Sequence, residues 1–282
     1  MHGLGNDFIV FDARRDERND YSRTAKLLCG RRTGIGADGL IAVCNSNICD
    51  TRMRIINSDG SEAEMCGNGI RVFSKYVYER GIVNKPEFEV ETLAGVMRPK
   101  LTISAGTVTG ITVDMGKPSF DRADIPMTGR GTFIMQELKV LNKTFKATSM
   151  LLGVPHTVVF VQDVRNEDIV RYGRDIEQNE LFPKGTNVNF VHVTDEHSIE
   201  VRTFERGCGA TLACGTGTSA SAVACALSGL TGRKVDAHLK LGILNIEWLD
   251  DGRVTMSGPA EAVFDGEIDP SLLEGRSYEP GS

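Results

Sequence analysis

Two cysteines in this chain stand at the head of glycine-rich turns, Cys66-Gly67-Asn68-Gly69 and Cys214-Gly215-Thr216-Gly217. A cysteine just before a helix sits where unpaired backbone N–H groups and the positive end of the helix dipole converge. That setting favours the thiolate, so a free-thiol pKa of ~8.5 can fall. The glycines leave no Cβ to block a ligand, and the same N–H groups can hold a carboxylate. One such turn offers a base or nucleophile beside an anion site. Two that face each other offer a thiol on either side of one substrate carbon. Inverting a stereocentre by proton transfer needs that arrangement: a thiolate to remove the proton, a thiol to deliver one, and an exchange of roles in the reverse direction. The helix dipoles would stabilise the charge that develops beside the carboxylate. A single Cys-Gly-x-Gly run is more often a tight buried turn; its repetition is what points to chemistry.

The repetition extends to the elements that must hold the two turns. A strand at 53–56 leads through Asn57-Ser58-Asp59-Gly60 to Cys66 and a helix. A strand at 201–204 leads through Glu205-Arg206-Gly207 to Cys214 and a helix. Asn57 and Glu205 each precede their cysteine by nine residues. This reads as a duplicated unit of strand, polar loop and helix-capping cysteine, with a site expected in the cleft between the copies. The spacing predicts one helix that aligns Ile70, Phe73 and Val77 and stops near Gly81. It predicts another that aligns Ala220, Val223, Ala224 and Leu227 and stops near Gly229. Shorter outer helices are expected at 22–29 and 163–172. Further strands are expected at 8–11, 40–43, 88–92, 100–103, 108–115, 158–161, 188–193, 239–241, 245–248 and 254–256. The segment 116–131, with Pro118 and Pro126, reads as a linker, and 280–282 as a frayed end.

The chain has 282 residues, a length that suits two domains. Hydrophobic residues make up 40% and charged residues 25%, the balance of a soluble globular protein. No apolar run approaches the ~20 residues that cross a bilayer. A net charge of -6 without a Lys/Arg cluster argues against a nucleic-acid or anionic-membrane partner. Met1-His2-Gly3-Leu4-Gly5 does not read as a secretion signal. Seven cysteines, an odd number, fit a reducing cytoplasm better than a disulfide framework. Cys44 and Cys49 have no histidine nearby to complete a zinc set. Cys29, Cys44, Cys49, Cys208 and Cys225 read as inert buried thiols, and His156, considered alone, as a core histidine. Gly34-Ile35-Gly36-Ala37-Asp38-Gly39 lacks the third glycine of a dinucleotide loop and leads into a strand, so that reading is set aside.

The chain resembles the diaminopimelate epimerase family nearly end to end. The resemblance is carried by His2-Gly3-Leu4-Gly5-Asn6-Asp7-Phe8 and Thr33-Gly34-Ile35-Gly36-Ala37-Asp38-Gly39. It continues through Asn57-Ser58-Asp59-Gly60-Ser61-Glu62, Cys66-Gly67-Asn68-Gly69-Ile70-Arg71 and Pro155-His156. Gly185-Thr186-Asn187, Glu205-Arg206-Gly207 and Ala213-Cys214-Gly215-Thr216-Gly217 complete it. The resemblance implies that Cys66 and Cys214 are the two acid–base groups, flanked by His156 and Glu205. It implies that Asn6, Asn57 and Asn187 bind substrate, that Gly67 and Asn68 form the first anion-binding turn, and that Gly215 and Thr216 form the second. Glu205 and Arg206 would hold the substrate's charged groups. Val154, Gly39 and Ala210 depart from the family pattern, which often has asparagine at the first, in some members a substrate-contacting glutamine at the second, and commonly glutamate at the third.

The implied fold is α/β (α+β): two pseudo-symmetric domains, each a curved, mostly antiparallel sheet around a central helix. Residues 1–114, completed by 264–282, would carry Cys66, and 115–263 would carry Cys214. The implied reaction interconverts LL- and meso-2,6-diaminopimelate without cofactor or metal, in a cytoplasmic homodimer that serves lysine and peptidoglycan-precursor synthesis. The alternatives are another cofactor-independent racemase or isomerase of the same fold, and a non-catalytic amino-acid-binding protein, which would need neither thiol. A thiol-redox role fits less well, because the two cysteines lie 148 residues apart with no resolving neighbour.

Overall fold

Short apolar segments with period-two burial build two sheets in the computed structural model, which describes residues 1–18, 20–165, 167–269 and 273. The chain divides into two units: Met1–Ile111 with the segment from Pro259 onward, and Thr112–Gly258.

The first unit comprises β1 (His2–Gly3), β2 (Asn6–Asp12), α1 (Ser22–Leu28), β3 (Gly39–Cys44), β4 (Thr51–Asn57), β5 (Glu62–Ala63), α2 (Gly67–Glu79), β6 (Val90–Thr92), β7 (Gly95–Met97) and β8 (Lys100–Ser104). β9 (Thr107–Asp114) starts in it. Its sheet runs β1-β2-β3-β4-β6-β7, with β5 on β4. All six residues of β3 are buried, because helices cover both faces. Leu40, Ala42 and Cys44 pack with Ala25 and Leu28 of α1, while Ile41 and Ile55 of β4 lie under Gly69 of α2.

The second unit comprises β10 (Gln136–Val140), β11 (Lys143–Leu152), β12 (Val154–Phe160), α3 (Ile169–Glu177), β13 (Asn187–Asp195), β14 (Ser198–Glu205), β15 (Gly209–Thr211), α4 (Gly215–Leu227), β16 (Lys234–Leu239), β17 (Gly242–Trp248) and β18 (Val254–Gly258). Within it the strands run β10-β11-β12-β13-β14-β16-β17-β18, with β15 on β14. Val188 and Phe190 of β13 join Ile169 and Ile176 of α3 in the core. The alternate residue Asn189 points the other way, toward Gly217 of α4.

The two units repeat one topology. In each, a parallel strand pair (β2 with β3, β12 with β13) brackets an outer helix, α1 or α3. Each then has an antiparallel strand bearing a short partner (β4 with β5, β14 with β15). A cysteine-capped helix of 13 residues follows. The next strand returns in parallel (β6 on β4, β16 on β14). The duplication expected from the two cysteine turns therefore reaches through five strands and two helices in each unit.

α4 is built from small residues because β11, β12, β13, β14, β16, β17 and β18 all pack on it. Two of its buried hydroxyls bond back along the helix: Thr218 Oγ1 donates to the Cys214 carbonyl at 2.8 Å and Ser221 Oγ to the Gly217 carbonyl at 2.9 Å. Neither hydroxyl is left unpaired in the apolar interior. Among the described residues, no helix is long and apolar enough to cross a membrane.

Several expected elements differ. The strand expected at 239–241 is Lys234–Leu239, and Lys240-Leu241 turn the chain into β17. Only Val235 and Ala237 point inward, so the apolar signal is thin. The helix expected at 163–172 is Ile169–Glu177: Asp163 accepts the Arg165 N–H in a turn, and Asp168 caps the helix by accepting the Arg171 N–H at 3.0 Å. The strand expected at 88–92 shortens to Val90–Thr92, and the one expected at 158–161 starts at Val154 and includes His156. The segment 116–131 is not a linker. Ile125 and Met127 lie in the second unit's core, and the Thr128 N–H donates to the Leu181 carbonyl at 2.9 Å. Cys208 is exposed and Cys49 half-buried, while Cys29, Cys44 and Cys225 are buried as expected. Residues 280–282 lie outside the described residues.

Candidate active site

Cys66 takes an extended conformation, φ -142° and ψ 124°, as the N-cap of α2, and its Sγ accepts the Gly69 N–H at 3.4 Å. A Cβ at Gly69 would lie 3.0 Å from Ile55 Cδ1, so glycine lets the helix start press onto β4. The Cys66 thiol donates to Asn6 Oδ1 at 3.6 Å, and Asn68 Nδ2 donates to the same oxygen at 3.3 Å. Asn6 Nδ2 in turn donates to Asp38 Oδ2 at 2.8 Å. Arg31 ties Asp38 to Asp7, at 2.8 and 2.7 Å. These bonds raise the guanidinium's pKa, and although burial works against the Asp7 carboxylate, its hydrogen bonds from Arg31 hold it below the ordinary range. The first unit thus gathers Cys66, Asn68 and Asn6 with buried Gly67. Asn57, at the exposed end of β4, turns its amide to Ser61 Oγ at 3.0 Å.

Cys214 stands at the N-cap of α4 in the same extended conformation, φ -123° and ψ 110°, but without the side-chain cap bond that Cys66 makes. Its surroundings differ. Its Sγ lies 3.5 Å from Thr216 Oγ1, and the thiol is buried. Burial, with the Glu205 carboxylate beside it, pushes the Cys214 pKa far above that of a free thiol. Cys214 therefore holds its proton at neutral pH. A Cβ on Gly217 would fall on Asn189 Oδ1, deep inside van der Waals contact, and 3.3 Å from Cys214 Sγ. Glycine at this position lets the Asn189 amide reach the helix.

That amide has a partner on each side. Thr203 Oγ1 donates to Asn189 Oδ1 at 3.0 Å, which leaves Asn189 Nδ2 to donate to His156 Nδ1 at 3.2 Å. His156 is wholly buried, and burial, followed by the charge of Arg206, lowers its pKa to about 3. It is neutral at pH 7. With Nδ1 accepting, the proton sits on Nε2, which has no partner among the described residues. His156 stands in register with Asn187 across the parallel β12–β13 pair. Asn187 Nδ2 donates to the Pro155 carbonyl at 3.1 Å, and Asn187 Oδ1 accepts the Arg206 N–H at 2.9 Å. Arg206 Nη1 donates to the Lys184 carbonyl at 2.8 Å, beside Gly185, whose φ of 71° suits glycine. Gly215 is buried as the first residue of α4.

Sequence reasoning did not single out Asn189 and Thr203. Their signal was present: Asn187-Val188-Asn189 alternates polar and apolar residues in the buried first half of β13, and Thr203 is the cross-strand partner of Asn189. Of the three departures, Gly39 has a physical reason. A Cβ there would lie 3.0 Å from the Ile56 carbonyl oxygen and 3.3 Å from the Phe8 ring, so a side chain enters only if these neighbours give by a few tenths of an ångström. Val154 and Ala210 are exposed, and nothing around them explains their identity.

Comparison with known proteins agrees with this picture. The chain is 52% identical over 270 residues to the diaminopimelate epimerase of Caldanaerobacter subterraneus subsp. tengcongensis, with 95% of this chain and 98% of that protein covered. It is 48% identical over 271 residues to that of Moorella thermoacetica, covering 95% and 97%. Among solved structures, a Bacillus anthracis phenazine biosynthesis protein of the PhzF family superposes with a TM-score of 0.66 at 16% identity, over 92% of this chain and 91% of that one. A hydroxyproline epimerase from Agrobacterium vitis superposes with a TM-score of 0.64 at 15% identity, over 91% and 86%. These two structural likenesses establish the pseudo-symmetric α/β fold. The family model for diaminopimelate epimerase matches residues 1–120 and 148–263, and with it the chain belongs to the diaminopimelate epimerase family.

Proposed function

We propose that this chain is a cofactor-independent epimerase that interconverts LL- and meso-2,6-diaminopimelate by two-base proton transfer. The observation that carries the reading is the repeated N-cap cysteine with unequal surroundings. Cys66 accepts a backbone N–H at a helix start, a setting that favours the thiolate. Cys214 is buried beside Glu205 and keeps its proton. One thiolate and one thiol are what inversion requires. In one direction the Cys66 thiolate takes the α-proton, the electron pair passes into the α-carboxylate as an enolate, and the Cys214 S–H delivers a proton to the opposite face. The thiolate and thiol are then exchanged, and the reverse reaction uses them in the opposite sense.

The remaining residues have supporting parts in this reading. Gly67, Asn68, Gly215 and Thr216 bring backbone N–H groups of two helix starts to the α-carboxylate. Neutral His156 and Glu205 flank the thiols, and Asn6, Asn57, Asn187, Glu205 and Arg206 bind the substrate's polar groups. The family supports a cytoplasmic homodimer active in lysine and peptidoglycan-precursor synthesis. The test is incubation of protein dialysed against a chelator with each stereoisomer in D₂O, without added cofactor. Deuterium should enter the α-carbon as the isomers interconvert. Inversion that required added metal or pyridoxal phosphate would refute the two-thiol reading.

A further inference from the structure

We propose that Arg71 is a positioning residue for this reaction: its buried guanidinium orients Asn68 and the first turn of α2, and supplies the fixed positive charge beside which the Cys66 thiolate forms. The proposal rests on the reading of Cys66 as an acid–base group. Arg71 is fully buried, an uncommon place for a charge. Its Nη1 donates to the Gly67 carbonyl at 3.0 Å, the residue after Cys66, and its Nη2 to Asn68 Oδ1 at 3.0 Å. Its Nε donates to the Pro259 carbonyl at 3.1 Å. Gly3 makes room for it: a Cβ there would lie 3.0 Å from Nη2.

Two consequences follow from this geometry. Because Asn68 Oδ1 accepts from Arg71, Asn68 must present Nδ2 to Asn6 Oδ1, the oxygen that also faces the Cys66 thiol. The orientation of the Asn68 amide is thus set from inside the protein. Pro259, Gly67 and Asn68 also offer Arg71 neutral oxygens, which bond the cation without cancelling its charge. Burial lowers Arg71 to about 10, and negative charge on Cys66 opposes that fall. Arg71 stays charged at neutral pH, and the coupling is reciprocal, so the cation favours the thiolate.

Other groups near Cys66 are common to any Arg71 variant. β1 carries His2, paired with Glu261. β2 carries Asp7, held by Arg31, and the loop before β3 carries Asp38, bonded to Asn6. β3 and β4 present Ile41 and Ile55, and Glu64 is exposed two residues upstream.

The experiment compares wild type with Arg71→Gln, which keeps a neutral donor, and Arg71→Lys, which keeps the charge without the fork. Peptide-resolved iodoacetamide labelling against pH gives the ionisation midpoint of Cys66, with exposed Cys208 as the internal standard. Arg71→Gln should raise the Cys66 midpoint by about one pH unit or more, leave Cys208 unmoved, and be largely reversed in Arg71→Lys. An unchanged midpoint in Arg71→Gln, or equal displacement in both variants, overturns the electrostatic role. If Arg71→Gln does not fold, the wild type decides by itself. The Arg71 Nε–H resonance should shift with the Cys66 midpoint and lose that shift in Cys66→Ala; a flat response overturns the proposal. Labelling is done without substrate, so retention of inversion by Cys66→Ala would sink the acid–base reading separately.

Discussion

The side-chain amide of Asn189 donates to Nδ1 of His156 at 3.2 Å, and this bond fixes which imidazole nitrogen carries the proton. Thr203 sets the direction by occupying the amide oxygen. A wholly buried imidazole, held neutral with its Nε2–H unpaired among the described residues, is a poor choice for stability alone. It suits a group that meets substrate or a reacting thiol. Nitrogen-15 spectra of histidine-labelled protein at pH 7 should show His156 as the neutral Nε2–H tautomer. Thr203→Val should broaden or mix that signal by freeing the Asn189 amide to flip.

His156 also gives stability a pH dependence of known sign. Its folded pKa is about 3, below the ~6.5 of an unfolded histidine. Between these values the unfolded chain binds more protons, so stability rises with pH through the window and is lost on acidification. The slope approaches about 1.4 kcal/mol per pH unit from this one group. Denaturant unfolding between pH 6.5 and 4.5 should therefore be steeper for wild type than for His156→Gln. Carboxylates act with the same sign in both proteins and cancel in the difference.

The two cysteines should divide the work by face. Cys66→Ala removes one proton carrier and leaves the other, so inversion should collapse for both stereoisomers, by about 10²–10⁴-fold or more. Solvent exchange of the α-proton should survive for one isomer only, and Cys214→Ala should give the reciprocal pattern. Cys208→Ala and Cys225→Ala should invert normally. Circular dichroism checks folding, since losing one buried sulfur should carry only a modest packing penalty.

The unequal thiols should be visible in their chemistry. Half-buried Cys66, as the thiolate, and exposed Cys208 should react with iodoacetamide before the buried thiols. Cys29 and Cys44, pushed up to about 11 by burial, and Cys225, pushed up to about 12, should stay unlabelled at pH 8. Glu205→Gln removes the carboxylate beside Cys214 and should lower the pH at which that thiol ionises. Peptide-resolved labelling reads all of these together, and a Cys214 midpoint unmoved in Glu205→Gln would rule out the carboxylate as a cause.

The second glycine of each turn should tolerate alanine differently. Alanine favours a helix over glycine by about 1 kcal/mol. At Gly69 the new methyl meets the mobile tip of Ile55 at 3.0 Å, so Gly69→Ala should be near neutral. At Gly217 it meets the Asn189 amide, fixed by Thr203 and His156. Overpacking there should outweigh the helical gain and give a net loss of about 1–3 kcal/mol in denaturant unfolding.

Much of this was legible because it depends on local rules. Cys66 and Cys214 could be placed at helix starts from the glycines after them, and the duplication could be seen from Asn57 and Glu205 at one offset. Asn189 could not be found that way: its role comes from a strand pairing with Thr203 and a helix pressing Gly217 onto it, both set by tertiary packing. The segment 116–131 misled because its prolines and glycines mark turns without saying whether Ile125 and Met127 between them are buried. The strand at Lys234–Leu239 was hidden by outward Lys234, Asp236 and His238 around two small inward residues. Gly39 carried no sequence signal of the Phe8 ring and Ile56 carbonyl that crowd it.

The bond from Arg71 to Pro259 spans 188 residues of chain, and that span imposes an order on biogenesis. During synthesis Arg71 emerges long before its acceptor, while Thr112–Gly258 is contiguous and holds its own core. The second unit can close on the ribosome. The first must wait for its last segment, which brings the acceptor of Arg71 Nε, until Pro259 has been translated. Chains truncated after Gly258 and released should therefore resist protease over Thr112–Gly258 while Met1–Ile111 remains open to cleavage, the reverse of the usual N-terminal-first sequence.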